Sequence, residues 1–299
     1  MADKSFVELG ERGLLVVAGE DRRAFLQGLI SNDVEKATPE RAIHAALLTA
    51  QGKYLHDFFV AALGETLILE GEATRLADLQ RRLSMYKLRA KVTLGPASGD
   101  LAVFAVFGSG ALAALTLPDE AGAARPYAGG VAFVDPRLGA LGARVIAPRD
   151  TAAAALAADG FAAADFAAYD RLRLAEGVPD GSRDLAIEKS ILLESGFDEL
   201  NGVDWKKGCY IGQELTARTK YRGLIKKRLM PVRVEGTLPP PGTLVTLDGQ
   251  EAGELRSGRD GMALALLRLE AVASAGEAGR ILQAGEARIT PVKPSWAQF

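Results

Sequence analysis

A chain with a single cysteine, Cys209, has to hold its fold without internal covalent cross-links. No internal disulfide can form, and no self-contained four-cysteine metal site can be built. The two histidines, His44 and His56, have no Cys or His partner at ligand spacing. At 299 residues the chain is long enough to bury real cores and to divide into about two domains. Hydrophobic residues make up 48% and charged residues 25%, the balance of a soluble globular protein. The longest apolar runs, 101–107 and the alanine-rich 151–158, fall far short of the ~20 residues of a membrane span. The start, Met1 to Glu8, has no apolar core and no arginine-rich amphipathic presequence. These features predict a cytoplasmic protein with no membrane partner.

Along the chain, strands are expected at 6–8 and 14–17, followed by a helix over 22–30 capped by Asp21, with Phe25, Leu26 and Leu29 on one face. Strand-like segments at 42–49, 54–60 and 67–70 form a β-meander. Leu76, Leu79, Leu83 and Tyr86 recur at three- and four-residue steps, which predicts an amphipathic helix over 73–88, before a strand at 92–94. A second α+β unit begins at 101–107, with a short helix near 110–115, strands near 131–134 and 144–147, and a long helix over 162–177. The alanine-rich stretches 111–125 and 151–168 read as compositional. Between 178 and 204 the chain has Gly and Pro punctuation without a period, the pattern of a functional loop. The turn at Leu238-Pro239-Pro240-Pro241-Gly242 precedes strands at 243–247, 251–256, 262–267 and 286–292, a small all-β domain that is either a barrel or a sandwich.

The chemistry-bearing residues gather in 202–223. Gly208 and Gly212 bracket Cys209 and free the backbone for positive φ or close approach. Lys206 and Lys207 precede the thiol, and 213–218 reads as a short helix. Nearby ammonium groups and a helix N-terminus both favour thiolate over thiol. From Trp205 to Arg228 there are eight basic residues and one acid, Glu214, in a chain of net charge -2. Such a field attracts an anionic tail, an acidic partner or nucleic acid. The chain has no phosphate-binding GxxxxGK[ST] loop, no GxGxxG, no HExxH and no GxSxG elbow.

The run Lys207-Gly208-Cys209-Tyr210-Ile211-Gly212-Gln213-Glu214 matches the K-G-C-Y-x-G-Q-E signature at eight consecutive positions, and by it the chain resembles the YgfZ family. Those are folate-binding proteins linked to iron–sulfur cluster assembly or repair, built like the T-protein (aminomethyltransferase) of the glycine cleavage system. The likeness extends to Phe25-Leu26-Gln27-Gly28-Leu29-Ile30-Ser31-Asn32-Asp33-Val34, to Leu47-Leu48-Thr49-Ala50-Gln51-Gly52-Lys53, to Asp170-Arg171-Leu172-Arg173 and to the C-terminal β domain. It implies an α+β fold: a T-protein-like three-domain ring with two interleaved α+β domains within 1–230, a C-terminal β-barrel over 231–299, and tetrahydrofolate in the central channel.

The resemblance also implies a site. Glu194 aligns with the glutamate that grips the pterin edge, whose N–H donors a carboxylate accepts in bidentate fashion. Asp57, Tyr210, Gln213 and Arg222 fall to the folate, and Cys209 with Lys207 to the reactive thiol. T-proteins carry an Asp-Asp pair where this chain reads His56-Asp57. The implied function is therefore that of a tetrahydrofolate-binding accessory factor for iron–sulfur proteins, with Cys209 a transient cluster ligand or thiol partner. A folate-dependent one-carbon transferase, with His56 in place of the missing carboxylate, is the alternative. Iron–sulfur clusters take about four ligands, so one thiolate demands a second protein (an iron–sulfur protein or assembly factor), a second copy of the chain or glutathione. Only 6% aromatics give no broad nucleic-acid surface, so any effect on tRNA modification is expected to be indirect.

Overall fold

Apolar segments in the first half of the chain assemble two sheets. The computed structural model describes residues 4–223 and 225–298, so Met1, Ala2 and Asp3 of the N-terminal stretch read above lie outside the described residues. Strands β1 (Ser5–Glu8), β2 (Arg12–Ala18), β3 (Ile43–Leu48), β4 (Tyr54–Leu63), β5 (Thr66–Glu72) and β6 (Thr93–Pro96) are followed by β7 (Leu101–Phe107), β8 (Ala124–Tyr127), β9 (Gly130–Val134), β10 (Ala143–Pro148) and β11 (Ala162–Ala163). One sheet has the order β3-β4-β5-β2-β6 and the other β11-β1-β7-β10-β9-β8. β1 pairs with β7, Ser5 opposite Phe107, while β2 pairs with β5, so the two sheets are interleaved in sequence.

Each sheet buries one face under helices. α1 (Arg22–Gln27) and α2 (Leu76–Ser84) place Phe25, Leu26, Leu79 and Leu83 against Leu15, Phe58, Val60 and Leu69. α3 (Ala111–Ala114) and α4 (Arg149–Ala158) place Ala111, Ala152 and Leu156 against Phe104, Val106 and Val145. Each large side chain fully withdrawn from water contributes about 1.5–3 kcal/mol, which makes these faces the main source of stability. On another face Phe59 of β4 meets Phe133 of β9 edge-on at 6.0 Å between centroids. Glu70 is buried there between Arg12 and Arg144.

These elements belong to one compact unit, Met1–Leu48, Leu55–Tyr169 and Leu200–Ile211; a second comprises Thr49–Tyr54, Asp170–Glu199 and Gly212–Phe299. α5 (Phe166–Glu176) and α6 (Gln213–Tyr221) precede the strands of the second unit. Strands β12 (Lys227–Glu235), β13 (Leu244–Leu247), β14 (Gln250–Arg259), β15 (Met262–Arg268), β16 (Leu282–Ala284) and β17 (Ala287–Pro291) close into a barrel of order β12-β15-β14-β13-β16-β17. Closure, not a sandwich, is the outcome, and it leaves no sheet edge to protect. Met230, Val232 and Val234 alternate into the barrel core, against which α7 (Leu269–Ala278) packs Ala275. Beside it Arg173 is buried among Asp170, Asp184 and Ser257, donating to each.

Several sequence expectations need correction. The helix over 22–30 ends at Gln27; Asp21 is its N-cap residue, but its carboxylate accepts the Lys91 N–H at 2.7 Å and makes no capping hydrogen bond. The helix over 73–88 is a 3₁₀ turn, Ala73–Arg75, followed by α2. The helix over 162–177 begins only at Phe166, because Ala162–Ala163 add to β1 as a parallel edge strand. α4, α7, β12 and β16 were not expected. No described helix is long and apolar enough to cross a membrane.

Candidate functional site

Two of the motif segments are packed on one another. The chain from Ser31 to Asp33 turns out of α1 and receives 200–211: Ser31 Oγ donates to Gly202 O at 2.6 Å, and Asn32 Nδ2 donates to Asn201 O at 2.8 Å and to His44 O at 2.7 Å. Gln27 ties the turn internally, donating to Asp33 Oδ1 and accepting from Val34 N. Lys207 completes the seat. Its Nζ donates to the carbonyls of Gln27 (2.8 Å), Ile30 (2.6 Å) and Asn32 (2.8 Å), and lies 5.2 Å from the centre of the Tyr210 ring. Burial pulls the Lys207 ammonium down to about 8, with Asp33 and Asp204 opposing the fall. Tyr210 is buried, Ile211 N donates to Gly28 O, and Cys209, just before them in the chain, stands exposed. A lone thiol on a pinned backbone, open to a second molecule, is the outcome of this packing.

A cavity of about 530 Å³ lies on the same unit, lined by Asn32, Arg41, His44, Asn201, Trp205 and Lys206 among others. Four of the charges at its wall form two pairs, Arg41 with Glu120 and Lys36 with Asp204.

Asp57 and His56 point in different directions, as neighbours on a strand must. Asp57 is buried, 3.6 Å from His44 Nε2, and its charge helps to raise the pKa of Arg137, whose largest favourable partner is Asp135. His56 Nε2 lies 2.9 Å from Asp78 Oδ2 on α2. Burial and then the nearby Arg75 lower the His56 pKa, outweighing the Asp78 contact.

In the second unit, Glu194 sits in the 3₁₀ turn Leu192–Ser195. Arg228 holds that turn, donating from Nη1 to Leu193 O at 2.8 Å and to Glu199 Oε2 at 2.6 Å. Burial raises the Glu194 pKa, against the pull of Lys227, Lys53 and Arg228. Its half-buried carboxylate receives no hydrogen bond among the described residues. Lys53 is brought to this turn by a bridge to Ile191, and Tyr54 N donates to Ser190 O. Gly52 has φ +67°, and a Cβ there would stand 2.9 Å from Gly212 O and 3.0 Å from Leu215 Cβ. That explains the glycine of the Ala50-Gln51-Gly52-Lys53 segment. Gln213 opens α6, whose N-cap Gly212 is left-handed at φ +82°, and Arg222 ends it, exposed. Of the residues assigned from sequence, then, Lys207, Cys209, Tyr210 and Asp57 belong to the first unit, and Glu194, Gln213 and Arg222 to the second. The carbonyl seat of Lys207 and the Arg228 clasp were not visible in the sequence, because both join segments far apart in the chain.

Residues 226–299 match the C-terminal β-barrel domain of CAF17. The mitochondrial iron–sulfur cluster assembly factor IBA57 of Mus musculus is 38% identical over 284 residues, which cover 88% of this chain and 77% of that protein. The Homo sapiens counterpart is 37% identical over the same shares. The chain belongs to the IBA57 family. Its fold is that of the T-protein: the glycine cleavage system aminomethyltransferase T of Bartonella henselae superposes with a TM-score of 0.77 over 99% of this chain and 87% of that one, at 17% identity. The family relatives overturn the cytoplasmic expectation, since they are mitochondrial proteins by name. That expectation rested on short apolar runs and on the character of Met1 to Glu8, and neither identifies the compartment in which the folded chain works.

Proposed function

We propose that this IBA57 family member serves the maturation of iron–sulfur proteins, with Cys209 as the thiol that meets the cluster or its carrier, and that a tetrahydrofolate bound at Glu194 supports the role. The observation that carries the reading is the exposure of Cys209 on a backbone pinned by Lys207 and Tyr210. The family relatives named as cluster assembly factors agree with it, as does the YgfZ-like signature around the thiol. A cluster that takes about four ligands needs the partner's own groups beside this one thiolate, so the encounter is with a second protein. Any influence on tRNA modification follows indirectly, through enzymes that need clusters.

Glu194 fits the folate by its chemistry: a half-buried carboxylate accepts the N–H pair of a pterin edge, and Lys53 and Lys227 nearby favour its ionised form. The one-carbon transferase alternative draws less support, because His56, its substitute for the missing carboxylate, faces Asp78 and not the side on which Asp57 lies. Calorimetric titration with tetrahydrofolate, paired with an assay for formaldehyde release from an amine donor, tests the reading. We expect binding without turnover, affinity about tenfold weaker or worse in Glu194→Gln, and weakening of the parent as pH falls through the raised Glu194 pKa. Equal affinity in the variant removes Glu194 from the site, and turnover makes the chain a transferase.

A further inference from the structure

α6 has two unlike sides. Thr216 is buried, whereas Glu214, Leu215, Arg218, Tyr221 and Arg222 follow one another at helical spacing and are all exposed. Tyr221 is 77% and Leu215 36% exposed, which is unusual for residues of that size. Three cations of the basic run are already taken up within the chain. Lys220 pairs with Asp198, Arg228 with Glu199, and Lys207 is taken up by carbonyls. Arg218, Arg222 and Lys226 have no counter-ion among the described residues.

An exposed tyrosine flanked by guanidiniums is the composition of an interface anchor, since Tyr and Arg carry much of the binding energy where they are buried by a partner. Uncompensated positive charge on a chain of net charge -2 selects what that partner presents. We propose that the Leu215–Arg218–Tyr221–Arg222 side of α6 docks an acidic protein surface that offers an apolar recess to Tyr221. A folate glutamyl tail would satisfy the cations and leave Tyr221 in water. A nucleic acid would satisfy both in part, but it favours a broad basic surface with several stacking aromatics, and this face has one. Identification of the partner as a cluster-handling protein rests on the proposed function; the docking chemistry does not.

The test uses the full chain without cluster or folate. Two fluorescent probes of equal net charge are titrated: a helical peptide with glutamates on one side and leucines on the other, and a single-stranded oligouridylate. We expect the peptide to bind, to weaken about tenfold in Tyr221→Ala and by at least as much in Arg218→Glu, and to weaken as salt rises. The exposure of both side chains keeps the variants folded, which circular dichroism checks. No peptide binding by the parent overturns the proposal. So does loss in Arg218→Glu with none in Tyr221→Ala, which is adsorption by charge alone, and so does tighter binding of the oligouridylate. Tetrahydrofolate titration of the same variants reads the folate proposal separately, so failure of one is distinguishable from failure of the other.

Discussion

Replacing Arg228 with methionine removes the clasp on the turn that carries Glu194. Arg228 and Glu199 have side chains only 9% and 6% exposed, and the variant leaves the Glu199 carboxylate buried without its cation. Breaking a buried pair in this way costs about 3–5 kcal/mol, whereas replacing both partners can be nearly neutral. Glu199 Oε1 keeps the Gln298 N–H at 2.7 Å, so the low end applies. The expected loss is about 3 kcal/mol, or roughly 10 °C in the melting of the second unit. The decisive assay adds Glu199→Gln, which removes the stranded charge and keeps the shape. The double variant should recover about 2 kcal/mol of the loss. Folate affinity should fall in the single variant and stay low in the double, because Leu193 O has lost its donor in both. A single variant within about 0.5 kcal/mol of the parent, or a double no more stable than the single, refutes the argument that the stranded charge sets the cost.

Two further outcomes follow from the same unit. Burial pushes the Asp170 carboxyl up, but hydrogen bonds from Arg183 and Arg173 hold it below the ordinary carboxylate range. The folded state therefore binds fewer protons, and its stabilisation is present above about pH 4 and lost as pH falls below that; urea unfolding at pH steps should show this loss, and Asp170→Asn should flatten it while lowering stability at neutral pH. Gly52→Ala forces a Cβ against Gly212 O at a positive φ and should destabilise by about 1–3 kcal/mol, read by thermal unfolding; an unchanged midpoint would mean that the backbone of 49–54 relaxes freely.

Apolar periodicity exposed the strands and helices whose burial follows it, such as β4 and α2, where Leu79 and Leu83 repeat on the sheet side. α4 escaped because alanines mark no face: only Ala152 and Leu156 are fully buried in it. β12 escaped because Lys226, Lys227 and Arg228 read as a charged patch, although Met230, Val232 and Val234 alternate inward immediately after. At the site, the glycine-flanked cysteine was legible from local sequence alone. Lys207 beside it reads as a neighbour of the thiol, yet its ammonium is bound by carbonyls about 175 residues away in the chain. Contacts of that kind come from register and topology, which a single sequence does not encode locally. The His56-Asp57 pair shows the same limit in small: adjacent letters, opposite sides of a strand.

The central claim is that the exposed thiol of Cys209 does the work of this protein in iron–sulfur maturation. In cells lacking their own member of the family, the parent chain and Cys209→Ala are expressed at equal levels, and the activity of a [4Fe–4S] enzyme is measured. An exposed side chain contributes within about 0.5 kcal/mol to stability, so the variant should melt with the parent. The account predicts restored enzyme activity with the parent and none with the variant. Full restoration by Cys209→Ala at equal expression would contradict it.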